Sequence, residues 1–233
     1  MRRHLDEELQ YMKQRALTMG GAVEAAIEEA MQALILRTPH RFEAVFRLET
    51  RINQLHAEID ASCIRTLACQ SPRAGDLRKI LALIKMNTDL ERMGDQAVNI
   101  AENGERYLRE EPLKPLHDIP RISTEVQAMI RLALDAFVKS DVQLAEEVLR
   151  RDLEVDRLTH QVFQDLKHIM KENPQGVERS VSLLLIARNL ERLGDHATNI
   201  AEDVVFAILG KDIRRGMNIR SGKNDVTQSE CEE

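Results

Sequence analysis

The residues with chemistry to offer in this chain are carboxylates at helical spacing. Glu91, Asp95 and Glu102 recur as Glu191, Asp195 and Glu202. A second acidic group precedes each set: Glu49, Asn53, His56 and Asp60 in the first half, Asp152 and Asp156 in the second. Turning about 100° per residue from Ile80 puts Glu91, Glu102 and Asp95 at about 20°, 40° and 60°. That is inside the apolar stripe carrying Ile84 and Val98, with Asn99 at its edge. An amphipathic helix ordinarily turns its charges the other way. Like charges four residues apart repel even in water, and a half-buried cluster is costly unless protonated, paired with cations or metal-bound. Oxygen donors in this number suit hard or borderline cations such as Mg, Mn, Ca or Fe, and a histidine at the rim extends the range to Zn.

A solvated helix edge explains a single E-x-x-x-D motif well enough. The same motif twice, on the apolar face and opposite a second acidic stripe, favours a metal site. Arg92 and Arg192 project about 100° further round and are poorly placed to neutralise the glutamates beside them. Gly94 and Gly194 weaken their helices and mark close approach between neighbours. Asn99 and Asn199 suit either a ligand role through the amide oxygen or an interhelical hydrogen bond. His196 falls near about 160° on its wheel, which predicts a surface residue. His160 sits one residue off the acidic stripe of its helix, and His4, His40, His117 and His168 carry no spacing signal. No Gly-rich phosphate loop, H-E-x-x-H or G-x-S-x-G is present, and no Glu has a His three residues later as in di-iron bundles. These absences point away from an enzyme.

The elements that hold these residues follow from composition. The 233 residues include only 10 Gly and 6 Pro, with 3% aromatics and no Trp. Such a chain, rich in Ala, Leu, Glu and Arg, builds long helices. Punctuation at Pro39, at Ser71–Gly75, across Pro112–Pro120, at Ser140–Asp141 and at Asn173–Gly176 leaves six helical segments, near 5–37, 40–70, 74–109, 119–139, 142–172 and 175–209. The formal charge of −6 and the lack of aromatics argue against nucleic-acid binding. Three cysteines without a C-x-x-C suit a reducing compartment, with Cys63 in the core and Cys231 in a polar tail. No targeting segment and no long apolar run is evident, so a soluble, cytoplasmic protein is expected.

Leu90–Glu102 and Leu190–Glu202 agree at ten of thirteen positions with an offset of 100 residues. A weaker match at an offset of 103 pairs Ala30 with Ala133, Val45 with Val148, Glu49 with Asp152 and Leu55 with Leu158. The chain is therefore a duplicated three-helix unit. The fold class is all-α, two tandem three-helix bundles spanning 1–112 and 113–212, followed by a flexible polar tail over 213–233.

The doubled L-E-R-x-G-D-x-A-x-N-I-A-E, each copy preceded by an acidic helix, resembles the PhoU family of accessory and regulatory proteins of bacterial phosphate uptake. Met19–Glu24 and Gly210–Arg214 extend the resemblance over nearly the whole chain. It implies metal clusters held by Glu91/Asp95 and Glu191/Asp195, with Glu49/Asn53 and Asp152/Asp156 from the second helix of each half. Asn53 departs from the acidic pattern, so the first site leans on His56 and Asp60. Iron, zinc, manganese and magnesium all occur among relatives. The resemblance further implies a non-enzymatic repressor of phosphate-starvation signalling. Such a protein links the ATPase subunit of the phosphate ABC transporter to a membrane sensor histidine kinase, reaches the membrane through those partners, and forms a homodimer. Two other readings stay open: a multinuclear metal hydrolase or oxidase, and a metal-free helical scaffold.

Overall fold

The computed structural model describes residues 2–113, 118–211 and 213. It contains six long helices: α1 (Arg2–Leu36), α2 (Phe42–Gln70), α3 (Ala74–Leu108), α4 (Asp118–Lys139), α5 (Val142–Glu172) and α6 (Val177–Leu209). No strand occurs among the described residues. The expected rods are present, their ends set by the residues that punctuate the sequence. Pro39 and Pro174 open short 3-10 turns ahead of α2 and α6. Asp141 caps α5, its carboxylate accepting from the backbone N–H groups of Gln143 and Leu144 at 2.8 and 3.2 Å. Gly210 ends α6 in the left-handed region at φ 68°, where glycine carries no side-chain penalty. The expected tail, from 214 on, lies outside the described residues.

α1, α2 and α3 pack on one another, as do α4, α5 and α6, giving two three-helix bundles. Each centre is aliphatic: Met12, Val23, Ile52, Leu55, Ile80 and Leu90 in one, Ile122, Met129, Val155, Leu158, Ile186 and Leu190 in the other, all buried. Cys63 is a core residue as expected, its thiol pushed up to about 12 chiefly by burial.

The bundles meet where α3 lies along α6, running in opposite directions, and where α1 touches α4. At the second contact a Cβ on Gly20 would run into the Leu134 side chain. The first contact is a polar seam. Lys85 Nζ lies 3.3 Å from the buried carboxylate of Asp203 and over the Phe206 ring. Asp89 Oδ1 accepts from Asn199 Nδ2 at 3.2 Å and lies 2.9 Å from His196 Nδ1. His196 is thus not the surface residue its wheel position suggested, its side chain being only 12% exposed. The face opposite its own bundle is buried by the other bundle.

Candidate metal centre

In the second half, α5 crosses α6 closely because Gly194 has no side chain. A Cβ there would sit 3.4 Å from Asp152 Oδ1 and 3.5 Å from Val155 Cγ1. That crossing sets Asp152 over the E-x-x-x-D motif. Its carboxyl is pushed up to about 6, first by burial and then by Asp156, Asp195, Glu191 and Glu202. Five carboxylates therefore share one electrostatic neighbourhood.

The acids do not lie as deep as the helical wheel placed them. Glu191 and Glu202 are half-buried, Asp156 and Asp195 exposed; in the first half Glu49 and Glu91 are half-buried, Asp95 and Glu102 exposed. A three-helix bundle buries a narrower arc than the wheel's apolar stripe, so positions 20–60° from its centre fall on the margin of the groove rather than inside it.

Spacing from the motif did not single out Arg188. Its Nη1 donates to Glu191 Oε2 at 2.5 Å, and Asp195 and Asp156 add to the field that holds its charge. The first half has Thr88 at the equivalent position, so comparing the repeats hides it. The available signal was the i, i+3 spacing to Glu191. A cavity of about 590 Å³ adjoins the cluster, lined in part by Asp156, Thr159, His160, Phe163, Arg188 and Glu191. His160 thus borders the site although it sits off the acidic stripe.

The first half uses the same scaffold differently. Ile52 packs over Gly94, with a Cβ there 3.2 Å from Ile52 Cδ1. Asn53 Nδ2 donates to Glu49 Oε1 within α2. His56 and Asp60 are tied to α3 by the fully buried Asn87, which donates to the His56 carbonyl at 3.0 Å and to Asp60 Oδ1 at 2.9 Å. His56 Nδ1 lies 3.3 Å from the Asn87 carbonyl, and Nε2 lies 3.4 Å from Asp60 Oδ2. Asn199 directs its amide to Asp89 in the seam, not to the groove, and the Asn99 backbone carbonyl accepts from Asn103 Nδ2 at 2.7 Å.

The donor set fits a hard cation in type: oxygen atoms, mostly carboxylate, with negative charge in excess of the one arginine. Among the described residues, however, no three His, Cys, Asp or Glu groups are already gathered as a ready cation site. Loading a metal in the second half would require these side chains to turn inward and Glu191 to leave Arg188.

A family model described as the PhoU domain matches residues 16–104 and again 119–204, one match in each bundle. A protein of Pseudomonas aeruginosa named phosphate-specific transport system accessory protein PhoU homolog is 37% identical over 208 residues, covering 89% of this chain and 86% of its own length. A protein of the same name from Clostridium acetobutylicum is 34% identical, covering 91% of this chain and 97% of its own. The crystal structure of PhoU from Pseudomonas aeruginosa superposes with a TM-score of 0.86 at 36% identity, over 88% of this chain and 99% of that one. The phosphate transport system regulatory protein PhoU from Streptococcus pneumoniae gives 0.84 at 26% identity, over 90% and 99%.

Proposed function

We propose that this chain, which belongs to the PhoU family, is a metal-binding regulatory adaptor of phosphate transport and not an enzyme. The names of its relatives support the accessory role in phosphate transport. The finer reading is a negative regulator of phosphate uptake and starvation signalling, a cytoplasmic homodimer. It would link the transporter's ATPase subunit to the sensor histidine kinase and reach the membrane through them. No helix among the described residues is long and apolar enough to cross a membrane itself.

The observation that carries the metal reading is Asp152, pushed up to about 6 by burial and four neighbouring carboxylates. Asp152, Asp156, Glu191 and Asp195, with Glu202 beside them, would hold the ion in the second half. Glu49, Glu91 and Asp95, with His56 and Asp60, would be the corresponding donors in the first. A bound divalent or ferric ion (Fe, Zn, Mn or Mg) would cancel the surplus negative charge of the groove. The chain's own part is positional: Gly194 lets α5 approach, and the bundle core fixes the spacing of the two stripes. Elemental analysis of natively purified protein is expected to find metal, and the double variant Glu191→Ala/Asp195→Ala is expected to lose it from the second site. Retention of all the metal by that variant would overturn the assignment.

The Arg188–Glu191 pair and the ungathered donors favour a second reading, a metal-free acidic docking face. Under that reading a chelator leaves binding to the transporter ATPase unchanged. Under the first, the chelator weakens it.

A further inference from the structure

At the end of the seam where α3 begins, α1 passes by and α4 and α6 end, there is a cavity of about 260 Å³. Lys13, Arg78, Lys79, Phe137 and Ser140 are among its walls. Lys13 Nζ stands 5.5 Å from the centre of the Phe137 ring. Lys79 pairs with Asp76 at 3.2 Å. Arg78 has no hydrogen-bond or ion-pair partner among the described residues, and its Nε is buried without one. Among the described residues, three cations thus line the cavity, with the Asp76 carboxylate beside Lys79. Burial, and then the nearby Lys79, lower the pKa of Lys13, the response of a cation held in a confined positive field. The first turn of α3, without a side-chain cap, adds the positive end of its dipole.

The duplication provides an internal comparison. One hundred residues on, Lys79 corresponds to Arg179, and at the 103-residue offset Ser140 corresponds to Arg37. At that end of the seam the linker after α3 supplies oxygen acceptors. Arg179 donates to the Glu111 carbonyl at 2.8 Å and pairs with the Glu110 carboxylate at 3.1 Å, while Arg37 donates to the Glu110 carbonyl at 2.6 Å. The counterparts of Glu110 and Glu111 at the other end are Gly210 and Lys211, which bring no carboxylate. Gly210 lies against the Arg78 guanidinium, a Cβ there being 3.7 Å from Arg78 Cζ. Lys79 keeps the charge of its counterpart Arg179, Arg78 stands where the other half has Glu178, and among the described residues this end lacks the carboxylate that Glu110 supplies at the other.

We propose that this cavity is a site for a small oxyanion of the inorganic phosphate class, gripped by Arg78 and Lys13 with Lys79 and Ser140 at its sides. The guanidinium fork suits two oxygens of a tetrahedral anion, and the excess of two positive charges suits a dianion. The proposal is independent of the carboxylate grooves.

The test is titration of the full-length protein with inorganic phosphate at fixed ionic strength, followed by amide NMR shifts and calorimetry, with chloride as the control anion. The expected result is saturable binding that shifts the amides of Gly75–Lys79. Arg78→Gln and Lys13→Gln should each weaken it about tenfold or more, the scale of one charge-assisted hydrogen bond. Thermal melts of the phosphate-free variants, expected at or above the wild-type midpoint because repulsion is relieved, establish that they fold. Absence of saturable binding, or equal affinity in Arg78→Gln, overturns the proposal.

Discussion

At the scale of single residues the groove is governed by charge that has too little to neutralise it. Asp152 takes up its proton at about 6 in the fold against 3.8 in the free side chain. Between those values the native state holds a proton that the unfolded chain has released. Stability from this group therefore falls as pH rises through the window, and the deficit persists above it. Asp152→Asn is expected to raise the thermal midpoint at pH 7 in metal-free buffer and to leave it unchanged near pH 3, where both forms are neutral. A pH 7 midpoint no higher than wild type would mean the cluster is already neutralised. Arg188→Gln bears on the metal reading from the other side. With Glu191 released and a cation removed, affinity for Mn²⁺ by calorimetry is expected to rise; a fall would show that Arg188 organises the site. The acids were legible in the sequence because they repeat. Arg188 was not, since Thr88 stands in its place in the other half and no motif contains it.

At the scale of the helix, two adjacent glycines in α1 separate packing from propensity. A Cβ on Gly21 meets nothing within 4 Å, whereas one on Gly20 meets Leu134 of α4. Gly21→Ala is expected to stabilise the protein by about 0.5–1 kcal/mol in chemical denaturation. Gly20→Ala should fall short of that gain because Leu134 must turn aside. Equal gains would mean that α1 and α4 are more loosely packed than the structure places them. Helix extents were legible because Pro39, Asp141, Pro174 and Gly210 act locally, through a fixed φ, a capping carboxylate or a left-handed turn. How deep Glu91, Asp95 and Glu102 lie was not. A wheel gives direction from the axis, while depth depends on where two neighbouring helices stand.

At the scale of the whole molecule, the seam between bundles depends on Asp89, whose carboxylate serves both His196 and Asn199. Asp89→Ala leaves two half-buried donors without that acceptor and is expected to cost about 1–3 kcal/mol of unfolding free energy. A cost near zero would show that water replaces it. Nothing in the local pattern around His196 announces this role, because the partner lies 107 positions away on the other bundle. The duplication also carries a consequence for pairing. The counterparts of Lys85 and Asp89 are Leu185 and Asn189, and those of His196 and Asp203 are Gln96 and Asn103. Were two second halves to meet through α6, Asp203 would face a leucine where Lys85 now stands. Were two first halves to meet through α3, Lys85 would face an asparagine. Only unlike halves complete the ion pair. Gene duplication made two copies, and a handful of later substitutions turned them into a lock and key joined on one string.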